Sequence, residues 1–169
     1  SDATKGWLPV SDDAVADVPV APATQKGLFA YGYNGSNVNT RNLINSSGVV
    51  ATDATGAGTA RRSAAASSYG GDKAIFAYGY ASGYVSVSNL VNNSGVVAAD
   101  VSGVGSARSG LGSSSYGGDK AIFGFGSTGS YVSLTNLVNN SGVVGADVTG
   151  VGTARFGIAA TEYGGDKGI

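Results

Sequence analysis

The feature that most constrains this chain is a repeat of 47 residues. The motif Asp-Lys-Ala-Ile-Phe occurs at 72–76 and again 47 residues later at 119–123, and Lys26 and Lys167 continue the spacing on either side. A period of this length is typical of solenoids, propellers and arrays, in which each unit buries its apolar surface against its neighbours. The same spacing joins five sets of residues: Phe29, Phe76 and Phe123; Asn42, Asn89 and Asn136; Asp53, Asp100 and Asp147; Arg61, Arg108 and Arg155; and Tyr69, Tyr116 and Tyr163.

Each unit has the pattern of short β-strands joined by tight turns. In the middle unit, residues 73–80 are apolar and aromatic, and residues 84–91 alternate between apolar and polar side chains, as half-buried strands do. Residues 96–99 predict a third strand and residues 106–111 a weaker fourth one. Gly and β-branched residues oppose helix throughout. The sequence therefore predicts an all-β fold of three tandem, four-stranded antiparallel units, at about 26–71, 72–118 and 119–165, behind an extended N-terminal arm, 1–25.

Composition excludes most catalytic chemistries. The 169 residues include no Cys and no His, so disulfides, thiolate metal sites and Ser-His triads are absent. Glu162 is the only Glu, which leaves paired-carboxylate catalysis to Asp alone. Ten basic and eleven acidic side chains without a basic cluster argue against nucleic acid. No apolar run approaches the ~20 residues of a membrane helix. We predict a soluble protein that is not an enzyme, binds no cofactor or metal, and does not insert into membranes.

The aspartates predict structure rather than chemistry. Asp72 and Asp119 each follow a Gly-Gly pair, where an Asp side chain hydrogen-bonds its own turn, and no EF-hand calcium loop is present. Asp100 is followed eight residues later by Arg108. We predict that such pairs form a repeating ion pair that fixes the register of the units.

Exposed tyrosines are the candidate ligand-binding residues. A Tyr ring offers a flat apolar face and a hydroxyl, which suits sugars and protein surfaces. The alternative is that these rings cover the sheet faces between units, the commoner role of aromatic residues in strands. The candidates are Tyr31, Tyr33, Tyr78, Tyr80, Tyr84 and Tyr131.

The arm differs in character from the repeats. It contains all three prolines, which favour extended chain, and the apolar run Trp7-Leu8-Pro9-Val10. One interpretation is a flexible terminus, as chain ends commonly are. The other is a docking peptide for a neighbouring sheet or groove, anchored by Trp7 and Leu8.

The order of signals resembles the Kelch repeat. Residues 107–126 run from Ala-Arg-Ser-Gly through Tyr-Gly-Gly-Asp-Lys to the apolar strand and Gly-Phe-Gly, and the first part of this pattern recurs at 154–167. The resemblance implies four-stranded propeller blades. Two departures from the Kelch pattern are the Gly-Phe-Gly at 124–126, where that family has a Gly-Gly doublet, and the absence of a Trp from the units.

The repeats are also similar to the Gly-, Ser- and Val-rich tandem repeats of tailed-bacteriophage structural proteins, especially tail fibres. The motifs Tyr-Gly-Gly-Asp-Lys-Ala-Ile-Phe and Asn-Leu-Val-Asn-Asn-Ser-Gly-Val-Val carry this resemblance, which covers residues 26–169. It implies a virion component that contributes to assembly and host-surface attachment. Alternatives are a secreted, lectin-like adhesive propeller that binds glycans, and a ligand-free extracellular filament subunit.

The two ends of the repeat region are out of phase with a four-stranded blade. Segment 154–163 matches the strand that the unit beginning at residue 26 lacks. Because propellers have about four to eight blades, three do not close a ring well. We predict that the chain associates with itself, as a six-bladed ring of two copies or an intertwined trimer. Other predicted partners are virion proteins and a glycan or protein of the host surface.

Overall fold

A computed structural model describes residues 26–168, and all regular structure in that range is β. Residues 1–25, with the predicted anchor Trp7 and Leu8, lie outside the described residues. None of the described residues belongs to a helix that could span a membrane. The ten strands are β1 (Gly27–Tyr33), β2 (Asn37–Ile44), β3 (Ala65–Tyr69), β4 (Lys73–Ala77), β5 (Ser88–Val91), β6 (Gly112–Tyr116), β7 (Lys120–Gly124), β8 (Thr135–Val138), β9 (Glu162–Tyr163) and β10 (Lys167–Gly168).

The strands form small antiparallel sheets in chain order. β1 pairs with β2, β9 pairs with β10, and two three-stranded sheets have the orders β3-β4-β5 and β6-β7-β8. After β5 the chain returns to it only through isolated bridges, from Val97 to Val91 and from Val101 to Ser88. The predicted all-β, antiparallel fold is confirmed. The predicted third strand of each unit, 96–99 in the middle unit, is present within residues 26–168 only as such bridges.

The sheets begin at a different point of the repeat from the predicted units. The strand predicted at 106–111 begins instead at Gly112, and β6 pairs with β7 of the following unit, with Tyr116 opposite Lys120. The glycines between these strands, Gly117 and Gly118, both have positive φ, 61° and 78°, which allows a tight turn. The Tyr-Gly-Gly-Asp-Lys motif is therefore a hairpin inside a sheet and not a boundary between units.

The apolar strand of each unit contains, or is directly followed by, a residue in an unusual backbone conformation. Tyr31, Tyr78 and Phe125, each 47 residues from the next, have φ values of 65°, 61° and 63°. Non-glycine residues in this region cost of order 1–3 kcal/mol each, so their surroundings must hold them there. The regular pattern at 73–80 predicted one continuous strand, but β4 ends at Ala77, directly before Tyr78.

The core lies between successive units. One cluster joins the second and third units and includes the fully buried Ile75, Tyr78 and Phe123. A second cluster packs Phe76 against Leu28 of the first unit, among others. This arrangement follows the nearest-neighbour packing of repeat proteins, in which no unit has a complete core of its own.

Backbone hydrogen bonds repeat the same link between units. The amide of Gly79 donates to the carbonyl of Arg108 at 2.9 Å. The same bond recurs 47 residues earlier and later: Gly32 to Arg61 at 2.9 Å, and Gly126 to Arg155 at 3.0 Å.

Candidate ligand-binding cleft

A buried arginine stabilises the inside of each complete sheet. Arg108 has no solvent exposure. Its Nε donates to the carbonyl of Phe125 at 2.9 Å and its Nη2 to Asn136 Oδ1 at 2.6 Å. Its Nη1 lies 3.8 Å from the carboxylate of Asp147. Because the guanidinium is planar with fixed donors, these three partners define its orientation. We call Arg108, Asn136 and Asp147 an Arg-Asn-Asp network.

The same network is present one unit earlier, with one bond changed. Arg61 Nε donates to the carbonyl of Tyr78 at 2.8 Å, and Arg61 Nη1 lies 4.0 Å from Asp100. Arg61 Nη2 reaches the Phe76 carbonyl at 3.4 Å rather than the amide oxygen of Asn89. That Asn89 Oδ1 is the one buried side-chain polar atom without a hydrogen-bond partner in the described part of the chain.

The predicted ion pair between Asp100 and Arg108 is wrong. Asp100 pairs with Arg61, and Asp147 pairs with Arg108. The pairing differs because each sheet begins at a different point of the repeat from that predicted. Arg61 precedes the sheet β3-β4-β5, and Asp100 follows it. Arg108 belongs to the next sheet. The repeating ion pair therefore exists, but within a sheet and over a longer sequence separation.

The carboxylates of the network remain ionised. For Asp147, burial is the largest influence and favours protonation, but hydrogen bonds from Ser106 and Asn136 and the charge of Arg108 together outweigh it, so the pKa is lowered. The same causes lower the pKa of Asp100. These groups are satisfied structural anions and not proton donors.

Two of the six candidate tyrosines pack beneath these arginines. The guanidinium carbon of Arg61 is 3.9 Å from the ring centroid of Tyr31, and that of Arg108 is 4.3 Å from Tyr78. Tyr78 has no exposure, so the prediction that it lies on the surface is wrong. Burial is the main cause that raises the pKa of both tyrosines, and it outweighs the opposing effect of the arginine charges. For these two rings the packing interpretation fits.

The other four candidates lie along the surface of the units. Tyr33 and Tyr131 are largely exposed, and Tyr80 and Tyr84 are partly so. The rings of Tyr80 and Tyr84 meet edge to face, with centroids 5.3 Å apart. The structure thus groups Tyr80, Tyr84 and Tyr131 around one cavity, while Tyr33 lies outside it.

That cavity opens between the second and third units and has a volume of about 290 Å³. We call it the aromatic cleft. Its outer wall is the pair Tyr131 and Phe156, whose rings stack with centroids 6.2 Å apart and planes 18° apart. The cleft is lined by Arg62, Ser63, Tyr80, Tyr84, Ser109, Ser127, Tyr131 and Phe156.

Two changes between repeats explain why the cleft is open: 47 residues after Arg62 and Tyr80 stand Ser109 and Ser127. Between the first and second units, Arg62 fills the corresponding space, with its guanidinium carbon 4.8 Å from the Tyr33 ring and 4.9 Å from the Tyr80 ring. Its Nη1 also donates to Asn37 Oδ1 at 3.3 Å. The residue 47 positions later is Ser109, whose side chain is too short to fill the gap.

Phe156 was not among the candidates from sequence, although the repeat contains a signal for it. Positions 62, 109 and 156 carry Arg, Ser and Phe, while the preceding position is Arg in all three units. A position that varies next to one that does not marks a surface that differs between units. Variable positions that line a cleft, as these three do, are where a repeat scaffold can carry binding specificity.

The cleft combines aromatic faces with a few polar groups. Ser63, Ser109 and Ser127 offer hydroxyls, and Arg62 places a guanidinium at one end. Small-molecule sites commonly have this composition, with apolar walls and a few oriented polar groups. Among residues 26–168 no group of three or more acidic side chains is placed to hold a metal ion. The arrangement can stack a flat apolar face and bond to hydroxyls around it.

Comparison with known proteins adds no relative. No protein-family model matches the chain, and no curated protein matches it. The chemistry of the cleft and the packing of the repeats are therefore the basis for a functional assignment.

Proposed function

We propose that this protein is a non-enzymatic attachment protein whose aromatic cleft binds a saccharide. We further propose that it is a structural component of a tailed-phage virion, in a tail fibre or another appendage, where it contributes to assembly and host-surface attachment. The observation that carries the binding role is the set of exposed rings around the cleft. The virion role is supported by the repeated sequence motifs.

The units are proposed to be Kelch-like propeller blades. The order of β6, β7 and β8, followed by bridges from Val144 to Val138 and from Val148 to Thr135, matches the order of strands in a four-stranded blade. In this interpretation the bridged segment is the outermost strand, held loosely because it has no further neighbour.

A sugar ring suits the cleft better than other small ligands do. The face of a pyranose that carries axial C–H bonds packs on aromatic rings, and its hydroxyls exchange hydrogen bonds with serine and arginine side chains. Tyr131, 64 % exposed, and Phe156, 47 % exposed, present such rings at the outer wall. A cavity of about 290 Å³ lies just below the usual range of about 300–1,000 Å³ for ligand sites, which favours a ligand of one or two sugar residues.

A glycan array followed by calorimetry on the best ligand tests the binding role. We expect Tyr131→Ala to weaken binding at least tenfold, since aromatic anchors dominate such sites. Ser109→Arg places in the cleft the side chain that fills the equivalent space one unit earlier, and we expect it to abolish binding with the fold intact. Tyr33→Ala is the matched control, because Tyr33 is 60 % exposed but lies outside the cleft.

Two results would contradict the proposal. If no glycan binds the wild-type protein, the saccharide assignment fails. If a glycan binds and both Tyr131→Ala and Ser109→Arg keep the wild-type affinity, the ligand site is elsewhere.

The second candidate is a secreted, lectin-like adhesive protein. The same cleft favours it, since a lectin needs a saccharide site and no catalytic group. Immunogold labelling of the producing culture separates the two settings: label on phage appendages supports the virion component, and label on cell surfaces or free protein supports the lectin.

A further inference from the structure

Within the described residues 26–168, the first strand of the repeat region is paired along one edge only. β4 has neighbours on both sides, β3 and β5, and β7 likewise lies between β6 and β8. β1 pairs with β2 alone within residues 26–168. A cavity of about 980 Å³, lined by Leu28, Ser67 and Glu162 among others, borders this region. An unpaired strand edge is a template for another strand.

The side chains of β1 also lack the cover that their equivalents have. Phe29 is 60 % exposed, whereas Phe76 and Phe123, at the same position of the later units, are 7 % and 0 % exposed. In those units the ring packs against the aromatic residue of the preceding unit: Phe123, for example, meets Tyr78 edge to face at 5.7 Å between centroids. Phe29 is thus an apolar surface that the repeat normally buries.

The first unit holds the acceptor half of an Arg-Asn-Asp network. Asp53 accepts a hydrogen bond from Asn42 Nδ2 at 2.7 Å, as Asp100 does from Asn89 at 2.9 Å. Asp100 also accepts from the amide and hydroxyl of Thr59, at 3.0 and 2.5 Å. Within residues 26–168, no threonine or arginine gives Asp53 the corresponding bonds.

The last unit holds the matching donor half. Arg155 stacks on Phe125 with its guanidinium carbon 4.2 Å from the ring centroid, as Arg108 stacks on Tyr78. Its Nη1 donates to the carbonyl of Thr153 at 3.2 Å, the same bond that Arg108 makes to Ser106 at 3.1 Å. Arg155 is therefore already oriented, but its Nε has no acceptor of the kind that Arg108 has in Phe125, among the residues that the structure describes.

We propose that the segment from Thr153 to Tyr163 of one copy pairs with the free edge of β1 in a second copy and completes its first sheet. Arg155 then donates to the Tyr31 carbonyl of the second copy, and Thr153 to its Asp53. Tyr31 already has the backbone conformation of Tyr78, whose carbonyl accepts from Arg61. The register follows from the β3–β4 pairing, in which Ser67 lies opposite Ile75. The equivalent residues of the proposed contact place Thr161 opposite Leu28. Ala160 then lies opposite Phe29.

A second copy fits this edge better than the segment that precedes it in the same chain. The residues 47 before Arg61 and Thr59 are Ala14 and Asp12. Ala14 carries no guanidinium, and Asp12 would set a second carboxylate against Asp53. The segment 47 before β3 also contains Pro19 and Pro22, which have no N–H to donate to a strand ladder.

Docking replaces the short strand pairing between β9 and β10 with a longer pairing between segment 153–163 and β1 of the second copy. In the single chain, β9 pairs with β10 through Tyr163 opposite Lys167 and Glu162 opposite Gly168. These two pairs occupy the edge that β1 of the second copy would take, so β10 must leave. Five pairs along residues 26–30, with the buried Phe29 ring and the completed network, replace them. The contact is head to tail, and it closes into a ring or continues as a filament according to the rotation between copies.

Disulfide trapping tests the proposal directly, because the natural chain has no Cys. A single variant Leu28→Cys is mixed with a single variant Thr161→Cys under mild oxidation. We expect a disulfide-linked heterodimer, since paired strands bring the two Cα atoms within disulfide range. The positive control is Ser67→Cys with Ile75→Cys in one chain, the same pair one unit later. Ser47→Cys, in an exposed turn of the first unit, replaces Leu28→Cys in the negative control.

Three results would overturn the proposal. Val20→Cys with Leu28→Cys linking within one chain would show that the preceding segment fills the edge. Leu28→Cys with Thr161→Cys linking only within one chain would show that the chain closes on itself. Failure of the mixed variants to link at all, with the positive control formed, would show that the edge stays unpaired.

Sedimentation of variants with the folded unit intact gives an independent measure. We expect Phe29→Ala and Arg155→Ala each to raise the dissociation constant of self-association at least tenfold, and Lys120→Ala, an exposed basic residue outside both the contact and the aromatic cleft, to leave it unchanged. A wild-type chain that sediments as a monomer at tens of micromolar contradicts the proposal. Glycan binding is measured on Phe29→Ala, whose changed residue lies outside the aromatic cleft, so this test and that of the saccharide site fail separately.

Discussion

At the scale of single residues, the buried arginines explain how units of low charge keep their register. Tyr78 and Phe125 have a left-handed backbone conformation, and their carbonyls accept hydrogen bonds from Arg61 and Arg108, respectively. Each guanidinium also stacks on an aromatic ring of the preceding sheet, Tyr31 for Arg61 and Tyr78 for Arg108, so one side chain joins two sheets. A buried charge with all its partners in place fixes one arrangement, because any shift of register leaves it unpaired.

The free energy of unfolding at acid pH depends on this network. Because the pKa values of Asp100 and Asp147 are lowered in the folded state, their contribution is complete above the unfolded value of about 3.9 and is lost as pH falls through the folded values. We expect urea unfolding to show a free energy of unfolding that falls as the pH is lowered from about 5 to about 2, because the folded state then loses the ionised carboxylates that it stabilises.

The double variant Asp100→Asn with Asp147→Asn tests the origin of that loss. We expect it to be less stable than the wild type at neutral pH and to lose less on acidification. Asp166→Asn, at an exposed turn, is the control and should keep the wild-type slope. An unchanged loss of stability at acid pH in the double variant would show that other carboxylates carry the pH dependence.

At the scale of strands and loops, glycines decide where the chain can cross itself. A Cβ atom on Gly103 would lie 2.7 Å from the backbone carbonyl carbon of Ser86. The equivalent Gly56 and Gly150 are as close to Asn39 and Ser133. The need for Gly at position 103 comes from this contact with another segment, which composition does not reveal.

Substitution of these glycines should therefore cost more than substitution of open ones. We expect Gly103→Ala to lower the free energy of unfolding by about 1–3 kcal/mol, the usual cost of forcing extra volume into a packed site. Gly83→Ala is the matched control, since no atom lies within 4 Å of its added methyl group and its φ is not positive. Chemical denaturation of both variants measures the difference, and equal stabilities would contradict the close approach.

At the scale of the whole molecule, the repeat period and the β class could be predicted from the sequence, because identical spacing requires identical structure. Where each sheet begins could not be predicted. A period relates Tyr69 to Tyr116, but it does not say which neighbour each strand pairs with. The buried position of Tyr78 was missed for a similar reason: both faces of a sheet are covered when units stack, so alternation does not separate inner from outer rings.

The cleft shows what residue type alone can and cannot predict about a binding site. Tyr80, Tyr84 and Tyr131 were singled out by residue type, and the structure places them together around one cavity. The role of Ser109 could not be inferred from its type, since its effect is the space that it leaves where Arg62 fills the equivalent position. Comparison of units at each position, rather than a search for known motifs, is what exposes such a site.

The central claim is that residues 47 apart occupy the same environment in stacked units, and the exchange of arginine side-chain protons measured by NMR tests it most directly. We expect the Nε protons of Arg61 and Arg108 to exchange slowly with water, since both are buried and bonded to carbonyls. The Nε proton of Arg62, the surface neighbour of Arg61, should exchange rapidly. Rapid exchange at Arg61 and Arg108, or protection at only one of them, would contradict the account.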